Sequence, residues 1–132
     1  MLPSTATAQD APPVLLTEWL RMFTTRDWSI ADQIIAADYA PLYPRSDTLP
    51  GRDAWKQRQA SSSLFGMFES VEFLLVSFSV TGDTIFYLAD MHGEQYGGKG
   101  IIAPMIGILQ TDSAVITGAH GALDEEAMYD QM

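Results

Sequence analysis

The sequence predicts an α+β domain in which a curved antiparallel sheet wraps around N-terminal helices. Apolar residues recur at helical spacing through the first half of the chain. From Val71 onward the pattern changes to runs rich in Val, Phe and Ile, punctuated by turn signals. Helices first and a strand meander afterwards is an α+β order.

Residues 14–24 read as the first helix, with Leu15, Trp19 and Met22 at helical spacing and Leu16 and Phe23 widening the stripe. Asp27 or Ser29 can cap a second helix over 28–37, with Ile30, Ile34 and Ile35 inward. Pro41, Pro44 and Pro50 then break the chain. Gly51-Arg52-Asp53-Ala54-Trp55 opens a third helix running to about Phe68, whose Ser61-Ser62-Ser63 run forms helix weakly but offers a small, tolerant wall. Four strands follow, over 71–80, 84–92, 99–111 and 114–123. Thr81-Gly82-Asp83 and Thr111-Asp112-Ser113 turn the chain, a glycine-rich stretch over 93–100 links the middle pair, and Pro104 marks a bulge or an edge. Residues 1–13 read as a disordered leader, 14–124 as one domain, and 125–132 as an acidic tail that frays or docks as a short helix.

Composition narrows the function classes. A chain of 132 residues, 47% hydrophobic, supports one real core without staples. There is no cysteine, hence no disulfide framework and no thiolate chemistry. A net charge of −10 repels phosphate backbones and argues against nucleic acid as a partner. No apolar run reaches the ~18 residues of a membrane span, and residues 1–13 lack a signal peptide's basic and apolar regions. The cytoplasm is the expected compartment. Two distant histidines without His-Glu-x-x-His make a zinc site unexpected, and no cofactor is expected. The stretch 93–100 nearly spells a P-loop, but Gly100 replaces the Ser/Thr and a strand follows.

Asp90 and His92 sit two residues apart in a run that otherwise reads as a buried strand, Ile85-Phe86-Tyr87-Leu88-Ala89-Asp90-Met91-His92-Gly93. Positions i and i+2 share a face, so both share a side with Phe86 and Leu88. A carboxylate among apolar side chains is costly unless paired or functional. The expectation is therefore acid/base chemistry in an apolar pocket, with Asp90 moving a proton and His92 assisting. The bland alternatives are an acid satisfied by neighbouring donors and a histidine bonding the turn at the strand's end. Tyr43 can polarise an oxygen; Tyr39 and Tyr87 are weaker candidates, and Tyr87, of opposite parity to Asp90, is expected to face outward.

The order of elements, Gly51-Arg52-Asp53-Ala54 before the third helix, the long segment 98–110 and Leu123-Asp124 at the last strand's end together resemble the nuclear transport factor 2-like superfamily. This cone-shaped α+β family includes SnoaL-like polyketide cyclases, ketosteroid isomerase, scytalone dehydratase and limonene epoxide hydrolase. The resemblance implies a pocket in the mouth of the cone. Trp19, Phe23, Trp55, Leu88, Ala103, Met105, Ala119, Gly121 and Leu123 are its expected walls, and His120 is expected outside. Asp90 falls where the epoxide-hydrolase branch keeps a strand aspartate. That branch's arginine and second aspartate are replaced by Leu88 and Gly121. The resemblance implies a cofactor-independent lyase, isomerase or cyclase acting on a small apolar terpenoid, polyketide or steroid-like substrate. The alternatives are an epoxide hydrolase and a non-catalytic ligand-binding or dimerisation module. A homodimer through the outer sheet face is expected, with Ile102, Ile106, Ile108 and Ile116 supplying it.

Overall fold

The computed structural model describes residues 11–43, 49–62 and 66–132. Most of the expected leader, Pro44 and Ser63 lie outside the described residues. Helix α1, Val14–Thr25, buries Leu16, Trp19, Leu20 and Met22 and stops where Arg26 enters the left-handed region at φ 57°. Asp27 accepts a hydrogen bond from the Ser29 amide and caps a short 3-10 turn, Trp28–Ile30, that continues into α2, Ala31–Ile34. The expected second helix is thus cut short at Ile35, which turns extended. The following segment, 35–42, pairs along the last strand instead: the amides of Ala36, Ala40 and Leu42 donate to the carbonyls of Ile116, Thr117 and Ala119 at 2.9–3.2 Å. Tertiary pairing overrides the helical pattern there.

Helix α3, Arg52–Ala60, is nine residues long and buries Trp55. Its opening Gly-Arg-Asp-Ala acts as a clamp. The Gly51 amide donates to the Tyr39 carbonyl at 2.7 Å, and the Arg52 amide to Ala37 at 3.1 Å. The Arg52 guanidinium donates to the Ile35 carbonyl at 3.0 Å, and Lys56 reaches Asp32 at 2.9 Å. The Lys56 hydrogen bond, opposed by desolvation and helped by the charges of Lys56 and Arg52, holds the Asp32 carboxyl below its usual range.

The sheet is a meander, β1 (Ser70–Thr81), β2 (Thr84–Glu94), β3 (Gly100–Asp112) and β4 (Val115–Leu123), antiparallel throughout and paired in that order. Val71, Phe73 and Leu75 of β1 pack inward; the extra residue Val76 then shifts the register, so that Phe78 and Val80 keep the inner face. An irregularity at Thr117 does the same for β4, bringing Ala119 and Ile116 to one face. The near-P-loop is a hairpin loop between β2 and β3, with Gly97 and Gly98 at φ 104° and 93°. Proline 104 is accommodated where β4 has run out, its carbonyl accepting from the Asp124 amide at 2.9 Å.

The acidic tail docks as α4, Glu125–Gln131, capped by the Asp124 carboxylate and anchored by the fully buried Met128. Its Gln131 side chain both accepts from the Ile102 amide at 2.8 Å and donates to the Ile102 carbonyl at 2.6 Å. One side-chain amide thus stands in for a neighbouring strand. No helix among the described residues is long and apolar enough to cross a membrane.

Candidate functional site

A cavity of 1030 Å³ opens between the inner face of the sheet and the helices. Aromatic rings form much of its wall. Trp19 of α1 stacks at a tilt on Trp55 of α3 (centroids 5.4 Å), Phe23 meets Trp19 edge-on at 5.1 Å, and Tyr39 meets Trp55 edge-on at 6.1 Å. Met105, Ala119, Gly121 and Leu123 complete the sheet side. Gln57, Arg58, Ser61, Ser62 and Glu125 bring polarity to the lining, and Tyr43 and His120 add an edge-on pair with centroids 4.8 Å apart.

Two tyrosines on the wall are buried, and their hydroxyls are hydrogen-bonded. Tyr87, on β2, is 5% exposed, and its hydroxyl accepts a hydrogen bond from the Trp19 indole N–H at 3.1 Å. Burial pushes its pKa up to about 12, against the lowering effect of the Trp19 bond. Tyr39 is held by the clamp between 35–42, β4 and α3. Burial pushes it up to about 12 as well; the Ala119 backbone hydrogen bond lowers it and neighbouring Tyr87 raises it. Both hydroxyls, protonated at neutral pH like any phenol, therefore hold their protons further into the alkaline range. A hydroxyl that accepts one bond still has its own proton to donate.

The expectation for β2 is reversed. Asp90, His92 and Leu88 do share a face with Phe86, but it is the outer one. Ile85, Tyr87, Ala89 and Met91 are buried, whereas Asp90, His92 and Leu88 are half-buried and Phe86 is exposed. Asp90 stands opposite Leu74 and Pro104, and His92 opposite Glu72 and Ile102, away from the cavity. The reason is desolvation: with both faces of β2 largely apolar, the face carrying a carboxylate and an imidazole turns to where water can reach them. Leu88 borders an outer groove with Phe86, Ile106 and Ile108 instead of the cavity. Ala103 is on the inner face but fully buried in the core, opposite Met91. Tyr87, expected outside, is inside.

Trp19, Phe23, Trp55, Met105, Ala119, Gly121 and Leu123 do line the cavity. Tyr43 borders it but is 66% exposed, and His120 is exposed yet borders both the cavity and the outer groove. Sequence reasoning missed Phe73, Arg58 and Glu125 as wall residues, and it ranked Tyr39 and Tyr87 behind Tyr43. For Tyr87 the structure supplies the register that decides the face: Met105 on the inner face of β3 pairs with Ala89, so odd-numbered residues of β2 share that face. Among the described residues, Glu125 is the only carboxylate on the cavity wall, and no three His, Asp or Glu residues are placed to hold a metal ion.

No protein-family model matches the chain, and no curated protein matches it by sequence. Solved structures do. A candidate polyketide cyclase from Bacillus cereus superposes with a TM-score of 0.75 at 14% identity, over 89% of this chain and 76% of that one. A protein from Catenulispora acidiphila with a ketosteroid isomerase-like fold, in complex with trimethylamine, gives 0.69 at 22% identity, over 85% and 86%. An LEH-like epoxide hydrolase from M. tuberculosis gives 0.64 at 14% identity, over 89% and 85%. The chain thus has the nuclear transport factor 2-like fold, the one shared by SnoaL-like polyketide cyclases and their isomerase-like and epoxide hydrolase-like neighbours.

Proposed function

We propose that the chain is a cofactor-independent cytoplasmic enzyme of the lyase, isomerase or cyclase type. It takes one small, mostly apolar, oxygen-bearing molecule of polyketide, terpenoid or steroid-like character into the cavity. One observation carries the reading: the Tyr87 hydroxyl, oriented by the Trp19 indole and buried, on the wall of an aromatic cavity. A neutral donor in largely apolar surroundings stabilises negative charge growing on a carbonyl oxygen, because a hydrogen bond is electrostatically stronger where the local dielectric is low. His120, edge-on to Tyr43 where both border the cavity, is the group at hand to take the carbon-bound proton. Asp90 and His92 have no part in this step.

The test is deuterium exchange α to the carbonyl of a fused-ring ketone, followed by mass spectrometry. Tyr87→Phe is expected to slow exchange ~10²–10³-fold, the usual loss for one such donor. Exchange at the wild-type rate in Tyr87→Phe would overturn the mechanism. Ketone binding without any exchange would leave a ligand-binding module.

We also propose that two copies pair across the outer sheet face, where Leu74, Val76, Phe86, Ile102 and Ile106 are exposed. Of the isoleucines expected to build this face, Ile116 is instead fully buried in the core. Sedimentation should show a dimer for the wild type and a monomer for Ile106→Glu; a wild-type monomer at micromolar concentration would refute the pairing.

A further inference from the structure

We propose that Gly121 sets how broad a ligand the cavity accepts beside the Tyr87 hydroxyl, admitting a fused-ring ligand where a side chain would admit only a narrower one. The proposal rests on the reading of Tyr87 as the group that meets the ligand's oxygen. Tyr87 faces Gly107 across the β2–β3 ladder, and Gly107 faces Gly121 across the β3–β4 ladder. Three adjacent inner-face positions therefore carry one ring and no other side chain. A Cβ added to Gly107 would overlap Cζ, Cε1 and Oη of Tyr87, so the tyrosine ring lies across the β3 backbone where a side chain would otherwise stand. That carries the hydroxyl toward β4. A Cβ added to Gly121 would sit 3.9 Å from the hydroxyl and 3.4 Å from the Met105 methyl. Gly121 itself is exposed and lines the cavity.

The room next to the hydroxyl is therefore open because position 121 has no side chain. A flat ring edge can lie over that bare backbone with its oxygen at Tyr87, while Trp19 and Trp55 supply ring faces to the same cavity. A single-ring or open-chain ketone needs only the oxygen contact and leaves the space over Gly121 unused. The backbone at Gly121 is outside the left-handed region, so a side chain there reshapes the cavity and does not strain the turn of the chain.

Two probes test this: anthrone, with three fused rings, and acetophenone, with one. Binding is read from tryptophan fluorescence, since Trp19 and Trp55 are on the wall. Melting temperatures check that each variant is folded. Gly121→Leu is expected to weaken anthrone about tenfold or more and to leave acetophenone within about twofold, with Gly121→Ala between. Equal effects on both probes, or none on either, would overturn the role of Gly121 while leaving the Tyr87 reading intact. Failure of the wild type to bind either probe would overturn both. If Gly121→Leu does not fold, Gly121→Ala decides alone, because its Cβ meets Met105 at an ordinary contact distance; it must weaken anthrone more than acetophenone.

Discussion

The two faces of β2 make the most useful comparison in the molecule. Both are mainly apolar, yet they do different things. The inner face, Ile85, Tyr87, Ala89 and Met91, is buried and delivers one hydroxyl to the cavity wall. The outer face, Phe86, Leu88, Asp90 and His92, keeps its two ionisable groups half in water. The hydroxyl proposed as the donor is thus the least conspicuous polar group, and the conspicuous pair lies on the exterior face. A phenol suits burial because it loses little on leaving water if it is hydrogen-bonded; a carboxylate loses far more.

Placing a charge on the wrong face should have the largest effect. Ala89→Asp puts a carboxylate at a fully buried position, with loss of roughly 3–5 kcal/mol, as for an unpaired buried charge. Urea unfolding measures it; a change below about 1 kcal/mol would mean that the face opens to water. A pH series should have an intermediate effect. Tyr39 and Tyr87 both have folded-state pKa values raised to about 12, so the stability they lend is full below about pH 10 and is lost as pH rises toward 12. Tyr87→Phe should flatten part of that decline, read as melting temperature between pH 9 and 12; an unchanged slope would place the hydroxyl in water. The smallest effect should come from the outer pair. Asp90→Asn and His92→Gln should each stay within about 0.5 kcal/mol of wild type in the same unfolding assay, and leave ketone exchange unchanged. A loss of exchange in Asp90→Asn would return the chemistry to the outer face.

The same comparison explains what could be read from the chain. The strands were legible because turn residues stand at each junction: Gly82 and Ser113 adopt the positive φ that their turns require. The inner residues of β3 and β4 were reached through the family resemblance, whose register puts Met105, Ala119, Gly121 and Leu123 inward, where the structure has them. The face of β2 was not, because alternation with apolar residues on both sides gives no contrast. The structure's register supplies it: Glu94 pairs with Gly100, so paired residues have even sums and odd positions face odd ones. The second helix was overestimated because the isoleucines of 30–35 look helical, while Ile35 is claimed by the β4 edge. Nothing local in the sequence announces that contact between distant segments.

That contact bears on how the molecules can associate. The β4 edge is capped by 35–42, an irregular stretch containing Pro41, while β1 is the open edge, with its Phe73 amide already given to Thr24 Oγ1 at 2.9 Å. Among the described residues, each molecule therefore has one free valence for strand addition. A building block with one such valence can join a second copy and then has none left, so ribbon growth through strand edges terminates at two.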